Sequence, residues 1–125
     1  MAIEFDVVLP DRPGELGRLA AALAENGVNI DALAAHTAFG KGYVAVLPAE
    51  PGRARDALKR AGLTFTERTV LTVQLENRPG VLADLAKRLG AAGVNITSVV
   101  PIGSGGDRVQ LAIGVDDLDK ARRIL

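Results

Sequence analysis

Cysteine is absent from this chain, and histidine occurs once, at His36. Their scarcity removes disulfides, thiolate metal sites, a cysteine nucleophile and most zinc, iron or copper constellations. Aromatic residues make up only 3% of the sequence, too few for the stacking platforms on which single-stranded nucleic acid lies. Charge of one sign is not in excess either. Fifteen basic residues meet 15 acidic ones, so the basic face of a nucleic-acid binder is not expected. No run approaches 18 apolar residues without a charge, which excludes a membrane span of the helical kind. The stretch Met1 to Asp6 lacks the basic and apolar regions of a signal peptide. The expectation is a small, soluble, cytoplasmic protein that holds neither metal nor cofactor and meets neither nucleic acid nor membrane.

What the chain does have is apolar material in ordinary proportion, 48% hydrophobic against 24% charged, enough to form a core rather than a disordered coil. It also has a repeat. Asp11-Arg12-Pro13-Gly14-Glu15-Leu16-Gly17-Arg18-Leu19-Ala20 returns as Asn77-Arg78-Pro79-Gly80-Val81-Leu82-Ala83-Asp84-Leu85-Ala86, and Gly27-Val28-Asn29-Ile30 returns as Gly93-Val94-Asn95-Ile96. Over residues 11–30 and 77–96, 11 of 20 columns are identical, far above the roughly 1 in 15 that average composition gives by chance. The chain is two copies of one unit.

Each copy reads the same way. Phe5 to Leu9 and Val70 to Leu75 mix apolar and polar residues as half-buried strands do. The Arg-Pro-Gly turn opens a helix whose apolar face is Leu16, Leu19, Ala20 and Leu23 in the first copy. Leu82, Leu85, Ala86 and Leu89 repeat it in the second. Gly27 and Gly93 stand where a helix stop is needed, and strands follow from Val28 and Val94. Turns at Gly40–Gly42 and Gly103–Asp107 lead to strands at Tyr43–Leu47 and Val109–Val115. A second helix carries Ala54, Ala57, Leu58 and Ala61, matched by Ala121, Ile124 and Leu125. Leu63 to Thr66 supplies a fourth strand to the first copy.

This pattern predicts an α+β fold of two ferredoxin-like βαββαβ units with antiparallel sheets and both helices on one face, the second unit lacking its last strand. The domains are expected at residues 1–68 and 69–125. With almost no connection at Arg68-Thr69, one long or bent strand is expected to run through both copies. A sheet edge without its last strand is exposed to pairing, so a homodimer is expected.

The repeated turn has two readings. Proline fixes the entry to a helix, and glycine tolerates an unusual backbone angle. The same helix start presents unpaired N–H groups and partial positive charge to a carboxylate or phosphate. Asn29 and Asn95 add amides able to accept from an ammonium group and donate to a carboxylate. Those are the groups that a free α-amino acid requires.

Strand, [Asp/Asn]-Arg-Pro-Gly-x-Leu, a leucine-rich helix and Gly-Val-Asn-Ile, twice in order, resemble the ACT domain over nearly the whole chain. The resemblance implies a non-catalytic small-molecule sensor, usually for an amino acid, acting on a partner enzyme of amino-acid metabolism. In the family, ligands sit where two ACT units meet side by side, between the first loop of one and the second strand of its neighbour. Carried onto this sequence, the first candidate set is Asp11, Arg12, Pro13, Gly14, Glu15 and Leu16 with Asn29 and Ile30. The second is Asn77, Arg78, Pro79, Gly80, Val81 and Leu82 with Asn95 and Ile96. Leu9 and Leu75 stand where the serine-sensing ACT domains have a histidine, which points to a less polar amino acid. Asp11 and Glu15 would repel a ligand carboxylate where Asn77 and Val81 would not, so the Asn77–Leu82 loop is favoured.

Two other classes stay open. One is an oligomerisation module that binds protein and no metabolite. The other is an acylphosphatase-like hydrolase, in which Arg12 or Arg78 grips phosphate and Asn29 or Asn95 positions water. His36 has no second ligand at metal spacing and reads as structural. Gly103–Asp107 lacks the lysine of a phosphate cradle and precedes a strand rather than a helix. Arg53, Arg55, Lys59 and Arg60 read as a solvated basic helix face.

Overall fold

A computed structural model describes residues 2–125. The chain forms two compact units, one of Ile3–Arg68 and one of Thr69–Leu125 with Ala2. The first contains β1 (Ala2–Pro10), α1 (Glu15–Glu25), β2 (Ile30–Ala38), β3 (Lys41–Pro48) and α2 (Pro51–Arg60). β4 (Thr64–Glu76) is a single strand of 13 residues that passes from the first unit into the second, as the missing connection at Arg68-Thr69 predicts. α3 (Val81–Ala91), β5 (Ile96–Gly105), β6 (Arg108–Val115) and α4 (Leu118–Ile124) follow.

In the first unit the strands lie in the order β2-β3-β1-β4. β3 is antiparallel to both neighbours, with Phe5 opposite Val46, Pro10 opposite Lys41 and Ala38 opposite Lys41. The inward residues Phe5, Val7, Leu9, Val44 and Val46 meet Leu19 and Leu23 of α1 and Ala54, Ala57 and Leu58 of α2 in one core. Both helices therefore cover one face, and each large side chain buried there contributes roughly 1.5–3 kcal/mol. Glu4, fully buried, and Asp6 share Arg68, at 3.6 and 2.7 Å. The basic face of α2 is less solvated than its composition suggests, because Arg53 pairs with Glu50, Arg55 with Glu67, and Arg60 donates to Asn26.

In the second unit the order is β4-β6-β5, again antiparallel, with Leu71 opposite Ile113 and Val100 opposite Ala112. Leu71, Leu111 and Ile113 pack with Leu85 and Leu89 of α3 and Ala121 of α4. Among the described residues α4 is the last element.

The strand ends differ from the sequence reading for local reasons. β2 starts at Ile30 rather than Val28, because the Val28 N–H returns to the Leu23 carbonyl at 2.9 Å while Gly27 donates to Ala24. Val94 and Gly93 close α3 in the same way on Leu89 and Gly90. These paired bonds are a Schellman stop. The first hairpin turns on Phe39 and Gly40, at φ of 53° and 74°, where both central residues of such a tight turn need positive φ. In the second, the ladder continues through Ser104 opposite Val109, leaving only Gly106-Asp107 as the turn.

Candidate ligand-binding loops

Each repeated turn begins where a first strand ends. The Arg12 N–H donates to the Pro10 carbonyl and the Arg78 N–H to that of Glu76, both at 3.1 Å. Proline then sets the helix entry, and Gly14 and Gly80 stand at the N-caps with φ of 88° and 91°. A side chain with a Cβ rarely adopts that angle, which is why glycine closes the motif. Neither helix start has a side-chain cap, so its positive end faces outward at Asp11–Gly14 and Asn77–Gly80, all of them exposed.

The two loops differ in electrostatics. At the first, Glu15 is 6% exposed and is held by Arg12 at 3.2 Å and Arg18 at 3.5 Å. A carboxylate thus already occupies the positive end of α1. At the second, Val81 brings no charge, and Arg78 instead donates to the exposed Glu76 at 2.6 Å. That bond holds the Glu76 carboxyl below its ordinary value and raises Arg78. Asn77 is anchored by its backbone N–H on the Asp107 carbonyl, and its side chain is exposed. Leu16 and Leu82, the last residues of both motifs, are 46% and 49% exposed.

The first loop borders a pocket of about 220 Å³, where Asp11, Arg12, Glu15 and Leu16 meet His36 and Thr37 of β2. Read as structural, His36 instead stands at the candidate site, stacked on Tyr43 with ring centroids 5.6 Å apart. The signal that locates it is the hairpin register, which sets Ala38 opposite Lys41 and Lys41 opposite Pro10.

The asparagines lie elsewhere. Asn29 precedes Ile30, which pairs with Pro48 at the far end of β3 from Lys41, about 23 Å along the strand from the Asp11 loop at the usual rise. Its side chain donates to Asp31 at 2.8 Å, and its carbonyl accepts from Ala49. Asn95 is bound twice to Asp116, through its N–H and its carbonyl. Ile30 and Ile96 pack against the two cores. Within one unit, then, the structure assembles the loop residues but does not bring an asparagine to them. An arginine and an asparagine of the same unit are too far apart to share a phosphate as an acylphosphatase requires.

A family model described as an ACT domain pair matches residues 1–125. Among solved structures, the chain is similar to protein BT0572 from Bacteroides thetaiotaomicron, at 24% identity and a TM-score of 0.86 over 99% of this chain and 85% of that one. It is also similar to the regulatory subunit of aspartate kinase from Thermus thermophilus, at 20% identity and TM-score 0.71, covering 98% and 88% of the two chains. The Thermus flavus subunit gives 19% and 0.68 over 98% and 88%. At these identities the likeness establishes the fold. Among the curated proteins there is no match. Among the described residues no helix is long and apolar enough to cross a membrane, and no cluster of three or more metal-ligating side chains occurs.

Proposed function

The chain belongs to the ACT domain pair family, and from that premise we propose that it is a non-catalytic regulatory protein that binds a free amino acid at its Arg-Pro-Gly loops. The observation that carries this reading is the helix start built twice, with an uncapped N-terminus under a glycine at φ near 90°. Such a start offers N–H groups to a carboxylate. The second loop is the principal site, because Val81 leaves open the place that Glu15 fills in the first. Arg78 reaches the ligand carboxylate by exchanging it for Glu76.

Since each unit's own asparagine is remote from its loop, the amide that completes a site comes from another copy of the chain. This supports a homodimer in which ligand binding strengthens association and so shifts a population that a partner enzyme of amino-acid metabolism senses. The amino acid is a less polar one, given Leu75 beside the loop.

The test is a thermal-shift screen of the twenty amino acids at millimolar concentration, with acyl phosphates alongside. A ligand at 100 times its dissociation constant stabilises by about 2.7 kcal/mol, a shift of several degrees for a chain of this size. One or a few amino acids raising the midpoint is the expected result. No response to any of them overturns the reading, and phosphate release from an acyl phosphate replaces it with the hydrolase.

A further inference from the structure

The second unit carries an open groove of about 430 Å³ that no ligand loop touches. Its floor is the strand segment Leu71–Leu75, and its walls are Leu85 and Arg88 of α3 with Arg122 and Leu125 at α4. β6 holds the other edge of that strand segment. Leu125 is 40% exposed here, and the Arg88 guanidinium donates to the Ile124 carbonyl beside it.

The internal repeat shows what such a groove receives. Leu71 corresponds to Phe5, Arg122 to Arg55 and Leu125 to Leu58. In the first unit, Phe5 and Leu58 are fully buried, and the order β3-β1-β4 lays the start of β4 beside β1 at the equivalent place. Two residues of that strand make the fit. Phe65 packs on Phe5 with ring centroids 5.8 Å apart. Glu67 receives both Nε and a terminal nitrogen of Arg55, at 2.5 and 2.7 Å, while the Arg55 guanidinium lies 5.9 Å from the Phe5 ring centroid. The filling strand thus has one large apolar residue and, two positions on, a glutamate.

We propose that the groove of the second unit is the docking site for an extended segment of a different polypeptide with that same pattern. Its apolar side chain covers Leu71 and Leu125, and its glutamate meets Arg122. Charge complementarity favours an acidic strand, since Arg88 and Arg122 both line the groove, and backbone pairing along an open strand edge supplies affinity that side-chain pockets then make specific. A second copy of this chain fits less well. Among its described strands only Phe65-Thr66-Glu67 has the pattern, and that segment is already spent on Phe5 and Arg55 in its own first unit.

The probe is a fluorescein-labelled peptide of residues 61–70, Ala-Gly-Leu-Thr-Phe-Thr-Glu-Arg-Thr-Val, titrated with the full chain and followed by anisotropy. Saturable binding is expected, weakened about tenfold or more by Arg122→Glu, as for loss of a close charge pair. A peptide with Lys in place of Glu67 should bind the Arg122→Glu chain better than it binds the unaltered one, which shows that the variant is folded and that charge sets the pairing. Binding indifferent to Arg122→Glu, or absent at millimolar concentration, overturns the proposal. So does a chain that sediments as a dimer dissociated by the peptide, since a second copy is then the occupant. Loss of amino-acid binding has no bearing on any of these outcomes.

Discussion

Arg12 and Glu15 stand 3.2 Å apart at the head of α1, and the carboxylate they share with Arg18 is almost wholly removed from solvent. A negative group at a helix N-terminus is favourable there, and it competes with any negative ligand for the same place. The second copy keeps the arginine, as Arg78, but replaces the glutamate by Val81. One loop is neutralised from within the chain and the other is not.

Glu15→Val copies the second loop onto the first. Under the amino-acid reading it should raise the bound ligand from about one to about two per chain, read by calorimetric titration, because the positive end of α1 becomes available. Stability should change by no more than about 1 kcal/mol, since both arginine partners are about half or more exposed. An unchanged stoichiometry would show that Glu15 does not block the site.

Glycine substitutions should split by backbone angle rather than by space. Gly80→Ala meets nothing within 4 Å, yet its φ is 91°, so the expected cost is the strain alone, about 1–2 kcal/mol. Gly17, inside α1 and equally unobstructed, should gain about 0.5–1 kcal/mol as alanine. Urea unfolding of both variants checks this, and the opposite signs are the point of the comparison.

Much of this arrangement is legible in the sequence because the repeat supplies each signal twice. The Schellman stops at Gly27 and Gly93, the glycine N-caps and the uninterrupted strand through Arg68-Thr69 all follow from local rules. The readings that miss depend on pairing across strands. Gly103, Ser104 and Gly105 look like turn residues, but Gln110, Val109 and Arg108 lie opposite them and extend β5. His36 looks isolated until the Phe39-Gly40 turn fixes the register that carries it to the Asp11 loop. Asn29 and Asn95 look like neighbours of the loops in sequence order, and the same register places them at the other end of the strand. Arg55 reads as solvated surface because its partner, Glu67, lies 12 residues on in another strand.

That Arg55–Glu67 pair should appear in the acid limb of stability. The hydrogen bond from Arg55 is the main cause holding the Glu67 carboxyl below its ordinary 4.5. A carboxyl depressed on folding contributes stability that is present above the ordinary value and lost as pH falls through the folded one. The unaltered chain should therefore lose more stability than Glu67→Gln between about pH 6 and about pH 3, as urea midpoints at several pH values would show. The effect is modest because both side chains are about one-third exposed, and Glu76, depressed in the same way by Arg78, keeps part of the acid limb in the variant. Parallel curves for the two proteins would mean that the pair contributes no proton linkage.

The contrast between Asn77 and Asp11 separates the two loops most directly. The Asn77 backbone is anchored on Asp107 at 2.6 Å, so Asn77→Ala removes an exposed amide without loosening the loop, and the fold should be unchanged. If the amide donates to a ligand carboxylate, its loss removes one hydrogen bond to a charged group, about 1.5–3 kcal/mol, which is a tenfold or larger loss of affinity. Asp11→Ala removes a negative charge from the other loop and should leave affinity as it was or improve it. Amino-acid affinity that survives Asn77→Ala and vanishes with Asp11→Ala would reverse the assignment, making the carboxylate-rich first loop the site and an ammonium group, rather than a carboxylate, the part of the ligand it holds.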